Sequence, residues 1–128
     1  MTRRHLRPEG WPPHFTFPAG FQAGDFVFLS GMTASDPSGA IVCPGDIVGQ
    51  TRYIYGKVQQ ALDLFDLGLS DIVSTRDYIT TTDGYAGTSA VRRELFGDDC
   101  PAATGIIVAG LLRREALIEI EVVAHVGH

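Results

Sequence analysis

The segment Ile118-Glu119-Ile120-Glu121 sets two carboxylates into an apolar–polar alternation that continues through Val122, Ala124 and Val126. On a strand this period sends the isoleucines to one face and both glutamates to the other. A glutamate held there and partly desolvated has a raised pKa and can pass a proton to or from water. The same side chain on a wet face, or satisfied by a backbone amide, does no chemistry. Ser30, between Leu29 and Gly31, offers a hydroxyl to orient a ligand or simply ends a strand. No base stands beside it in the sequence to make it a nucleophile. Glu94 either faces a cleft as a second acid/base or lies on a wet helix surface. His125 shares the face of Glu119 but stands roughly 20 Å further along. His5, His14 and His128 lie near the chain ends, and no spacing matches a zinc site, so no metal is expected. Cys43 and Cys100 lack neighbouring His or Cys motifs and read as structural thiols, with reactivity at Cys100 as the alternative.

The elements that position these residues follow from punctuation and period. Phe26–Leu29 reads as a buried strand after the Gly24-Asp25 turn, and Ala40–Cys43 as its hairpin partner. Asp46 caps a helix whose apolar stripe is Ile47, Thr51, Ile54, Val58, Ala61, Leu62 and Phe65, with Gly68 as its stop. Asp71–Thr81 is a strand with Val73, Thr75, Asp77 and Ile79 on one face and Ser74, Arg76 and Tyr78 on the other. Asp77 is the anomaly: a carboxylate on the helix-covered face needs a cationic or helix partner, or a bulge that shifts the period. A second helix runs from about Tyr85 to Phe96, with Asp83 as cap and Gly97 as stop. Thr104–Leu112 reads as a strand buried on both faces, and Leu117–Val126 as the last strand. The order β-β-α-β-α-β-β implies an α+β sandwich with both helices on one sheet face. The other face retains apolar residues, so a homo-oligomer is expected.

The chain has 128 residues with 10 Lys plus Arg, 15 Asp plus Glu and a net charge of −5. One domain over 15–128 is expected, preceded by an irregular arm over 1–14 broken by Pro8, Pro12 and Pro13, on which Trp11 and His14 offer docking contacts. The acidic balance speaks against nucleic-acid binding. No apolar run is long enough to cross a membrane, and two lone cysteines with no leader-like segment point to the cytoplasm.

Four segments together carry a family resemblance: Phe28-Leu29-Ser30-Gly31, then Gly45-Asp46-Ile47 with Gln50-Thr51, then Phe96-Gly97 to Pro101-Ala102, and Ile118-Glu119-Ile120-Glu121. Over about Phe15 to Val126 the chain resembles the YjgF/RidA, or reactive intermediate deaminase, family. The resemblance implies a chorismate-mutase-like α+β fold, a homotrimer with ligand clefts between subunits, and cofactor-free hydrolysis of imines or enamines. It also implies departures. The family's carboxylate-binding arginine follows Pro-Ala, where this chain has Ala103 and then Thr104. Phe17 stands for a tyrosine, Ser89 for an asparagine, and Met32 for the glutamine that often follows Ser-Gly.

What survives is Ser30 and Glu119, and the resemblance favours Glu119 over Glu121 as the catalytic group. Ser30, Thr104 and backbone amides would bind polar groups, with Phe17 as an apolar wall. If a carboxylate is still bound, another cation must hold it, with Arg76 the first candidate and Arg92 and Arg93 next. The expected substrate is therefore a small imine or enamine other than the usual 2-imino acid. A non-catalytic metabolite-binding or regulatory trimer is the alternative.

Overall fold

In a computed structural model, which describes residues 1–127, nine strands and helices alternate around one sheet. The strands are β1 (Arg3–Leu6), β2 (Gly20–Ala23), β3 (Phe26–Leu29), β4 (Met32–Thr33), β5 (Ile72–Ile79), β6 (Ala102–Ile107) and β7 (Ile118–His125). The helices are α1 (Ile47–Asp63) and α2 (Thr88–Phe96). The sheet runs β1-β2-β3-β7-β5-β6, with β4 also paired to β7. All pairs are antiparallel except β5 with β6. The α+β sandwich with two helices on the sheet is as the sequence implies.

The register explains the faces. Thr75 stands opposite Val122, Asp77 opposite Ile120 and Ile79 opposite Ile118. These residues are buried with Val27, Leu29 and Ala124 against Ile54, Val58, Ala61 and Leu62 of α1. The alternate residues, including Phe26, Phe28, Arg76, Tyr78, Glu119 and Glu121, lie on the open face. Phe26 and Phe28 remain exposed there.

Asp46 caps α1 as its position implies, accepting from the Gly49 N–H at 2.9 Å. Asp46→Ala should lower the unfolding free energy by about 1 kcal/mol, read as a lower denaturation midpoint at unchanged slope. The helix ends earlier than Gly68. Asp66 takes the left-handed turn (φ 58°), and the Leu67 N–H bonds back to the Leu62 carbonyl. Gln50 ties α1 to the entry of β7: its amide donates to the carbonyls of Cys43 and Glu115 and accepts from the Leu117 N–H.

Several expectations change. Part of the arm over 1–14 is regular: Arg3–Leu6 pairs with Gly20–Ala23, Arg4 Nε donates to Gln22 Oε1 at 2.9 Å, and Arg3 lies over the Phe21 ring. The partner of Phe26–Leu29 in its hairpin is Gly20–Ala23, while Ala40–Cys43 contributes only a bridge between Ile41 and Ser35. Asp83 does not cap α2; its N–H bonds Thr81 Oγ1, and a short helical turn at Tyr85–Gly87 leads into the helix. Gly97 stops α2 with φ 60°. Ala102–Ile107 is an edge strand exposed at all six positions, so the expected burial on both faces fails within one chain. The apolar run after it leaves the sheet as a loop. His128 lies outside the described residues.

Candidate functional site

Glu119 projects from the start of β7, its second residue, onto the open face, opposite Tyr78 on one side and Thr33 on the other. It lines a cavity of about 250 Å³ with Gly31, Tyr78, Glu121 and the loop residues Val108, Gly110, Leu111 and Leu112. Burial pushes its pKa above the usual carboxylate value, and the charge of Glu121 pushes it the same way. The geometry that admits it is the break between β3 and β4. There Gly31 leaves the space a side chain would fill, since a Cβ on Gly31 would stand 2.5 Å from Glu119 Oε2. Gly31→Ala must therefore swing the carboxylate aside. The fold should tolerate this, because only the flexible end of a side chain has to move. Any reaction depending on Glu119 should slow roughly tenfold to a hundredfold, with the melting temperature nearly unchanged.

Glu121 is held in place. The Tyr78 hydroxyl donates to its Oε1 at 2.9 Å, and Arg76 Nη1 stands 3.6 Å from the same oxygen. Arg76 is half-exposed and faces Thr104 across the β5–β6 pair. Sequence reasoning placed Tyr78 on this face without assigning it a role. Alternation alone could not show that it stands opposite Glu119, because the register depends on β7 lying beside β5.

A second cavity, of about 220 Å³, opens at the β6 edge. It is lined by Thr75, Ser89, Arg92, Arg93, Cys100, Pro101 and Ala103. Thus Ser89 and Ala103 come together, while Glu119 belongs to the first cavity. Asp77 and Thr75 lie on the helix-covered side of the sheet, and Tyr78 and Glu119 on the open side, so the sheet separates the two cavities within one chain. Asp77 finds the partner its position demands: Arg92 Nη1 at 3.2 Å and the Tyr85 hydroxyl at 2.7 Å. Burial raises the Asp77 pKa, and these two partners oppose the rise.

The remaining candidates sit outside both cavities. The Ser30 hydroxyl donates to the Pro18 carbonyl at 2.7 Å, pinning the chain before β2. Phe17 is 42% exposed and stacks on Phe15, with Trp11 Nε1 donating to its carbonyl. Trp11 and His14 thus pack within their own chain, His14 edge-on to Phe15. Glu94 is bound by Arg52 through both oxygens, which lowers its pKa, so it is a surface ion pair. His125 packs edge-on against Phe26. Cys43 is exposed and outside both cavities. Among the described residues no group of three His, Cys, Asp or Glu is placed to hold a metal ion, and no helix is long and apolar enough to cross a membrane.

Comparison with known proteins covers nearly the whole chain. The family model described as endoribonuclease L-PSP matches residues 12–126. A RutC family protein of Pyrococcus horikoshii is 31% identical over 104 residues, spanning 81% of this chain and 82% of the relative. The 3-aminoacrylate deaminase RutC of Acinetobacter baylyi is 30% identical over 127 residues, spanning 98% of this chain and 100% of the relative. The structure of a Mycobacterium tuberculosis member of the YjgF/YER057c/UK114 family superposes with TM-score 0.82 at 25% identity, covering 98% and 100% of the two chains.

Proposed function

The chain belongs to the YjgF/RidA family, to which the endoribonuclease L-PSP description applies, and from that premise we propose that it hydrolyses a small reactive imine or enamine to a carbonyl compound and ammonia, with Glu119 as the proton-transferring group. The observation that carries the reading is the half-buried Glu119 carboxyl, with its raised pKa, in a cavity against Gly31. The relative from Acinetobacter is named for deamination of 3-aminoacrylate, an enamine, which supports this reaction class.

The chemistry needs only a positioned acid and base. The neutral Glu119 carboxyl protonates the enamine carbon, and the C=C electron pair forms the new C–H bond as nitrogen forms C=N. The Glu119 carboxylate then takes a proton from water while the water oxygen bonds to the imine carbon. The carbinolamine collapses: Glu119 gives that proton to nitrogen, the C–N bond breaks and ammonia leaves, and the hydroxyl returns a proton to Glu119 as C=O forms. Tyr78 holds Glu121 beside Glu119, and Glu121 favours the neutral acid that starts the sequence.

The active unit in this reading is a homotrimer with its clefts between copies. Two features support it: the exposed edge strand β6 and the exposed Phe26 and Phe28 on the open face. Two unpaired thiols fit a reducing cytoplasm. RNA cleavage is disfavoured by the net charge of −5 and by two carboxylates in the Glu119 cavity. In the test, an amino-acid oxidase generates imines and semicarbazide captures those that survive. Added protein should lower the captured signal. An unchanged signal across carboxylated and neutral imines would favour the non-catalytic reading, in which a ligand stabilises the protein and emerges unaltered.

A further inference from the structure

Lys57 of α1 is half-buried and makes no ion pair among the described residues. Its Nζ donates to the Thr33 carbonyl at 2.8 Å, the Ser35 carbonyl at 3.0 Å and Ser35 Oγ at 3.1 Å. These bonds use all three protons of the ammonium, and none of the acceptors is charged. The charged groups nearby do not take their place. Asp36 is turned into its own loop, where its Oδ1 accepts from the N–H groups of Ser38 and Ala40 and from the Ser38 hydroxyl. Burial and the charge of Arg113 push the Lys57 pKa down, and Asp36 opposes them. Holding a cation among neutral oxygens is costly. What offsets that cost is the piece of backbone the three bonds hold.

That piece is β4 and the residues after it. β4 has two residues, pairs only with β7, and sets Thr33 opposite Glu119. So short a ladder is a weak hold by itself. Gly31, just before β4, leaves the space that the Glu119 carboxyl occupies: a Cβ there would stand 2.5 Å from Oε2. Only the two residues of β4 lie between that gap and the carbonyl Lys57 grips first. A misplacement on the order of 1 Å at a reacting group costs about 10²-fold in rate, so the hold on β4 bears directly on the Glu119 cavity.

We propose that Lys57 is a positioning residue for Glu119: its ammonium clamps β4 from α1 and so fixes the gap at Gly31 into which the Glu119 carboxyl fits. The inference rests on the deaminase reading for the reaction at Glu119, and on the hydrogen bonds and register alone for the clamp.

The test compares three variants by two readings. One reading is the titration of the Glu119 carboxyl carbon by NMR, assigned by its loss in Glu119→Gln. The other is turnover in the trapping competition. Burial and the charge of Glu121 hold the Glu119 carboxyl above 4.5, and Tyr78, opposite it, is bonded to Glu121. Lys57→Met keeps the stem and removes the three donors. Water then reaches the loosened cavity, so the Glu119 pKa should fall towards 4.5, and turnover should drop about tenfold. The sign separates position from charge, because loss of a cation by itself raises a carboxyl's pKa. Ser35→Ala removes one acceptor and should move both readings the same way by less, which keeps the proposal testable if Lys57→Met does not fold. Asp46→Ala weakens α1 at its cap and should leave both readings unchanged. A Glu119 pKa that stays or rises in the folded clamp variants overturns the proposal, as does an equal fall in Asp46→Ala. A fall of the pKa in a protein whose parent lowers no captured imine upholds the clamp and removes the deaminase reading.

Discussion

Glu119→Gln is expected to slow imine hydrolysis on the order of 10²-fold or more, because the amide keeps the shape of the side chain and loses the proton. In the trapping competition, semicarbazide should capture nearly as much imine with the variant as with no protein. A variant retaining full turnover would remove Glu119 from the mechanism. Stability should move the other way. The folded-state pKa of Glu119 lies above its ordinary value of 4.5, so the group's contribution to stability is fully present below that value. It is lost as pH rises through the raised pKa. The glutamine variant, which cannot ionise, should therefore be at least as stable as the parent at neutral pH. The same shift sets the pH profile: kcat/KM should fall as pH rises through the Glu119 pKa if the neutral carboxyl begins the reaction.

The largest stability effect is expected at Arg92. Arg92→Met leaves the Asp77 carboxylate buried without its cation and should cost about 3 kcal/mol at neutral pH in chemical denaturation. The Asp77 pKa is already above its ordinary 3.8 from burial, with Tyr85 and Arg92 opposing the rise. Removing Arg92 raises it further. Its stabilising share is therefore present at acid pH and lost as pH rises through a higher value than before. The gap between variant and parent should be widest at neutral pH and close below pH 3.8. Asp77→Asn in the Arg92→Met background should recover most of the loss. A neutral Arg92→Met variant would mean the pair contributes nothing to folding.

How much of this was legible in the sequence follows from the range of the interactions. The stripe of α1, the Asp46 cap and the β7 alternation are local patterns, and each stands where its period puts it. Arg3–Leu6 reads as a charged tail because what makes it a strand is the distant β2 and the Phe21 and Phe65 rings under Arg3 and Arg4. The Thr104–Leu112 run looks buried by composition, yet composition cannot show whether its cover comes from the same chain. Asp77 was legible as a demand for a partner but not as Arg92, fifteen residues on and across a strand-to-helix turn. The candidate site was legible as single residues. Its division into two cavities on opposite faces depends on sheet order, which no local pattern carries.

The sheet order also decides when this protein can exist. β7 joins β3 and β4 on one side to β5 on the other, and it is the last of the strands to be synthesised. Until it emerges from the ribosome, β1–β3 and β5–β6 are separate pieces with no common sheet. Folding is therefore held back until translation has passed β7. A nascent chain halted before Ile118 presents unpaired edges to chaperones and proteases rather than a partial sheet.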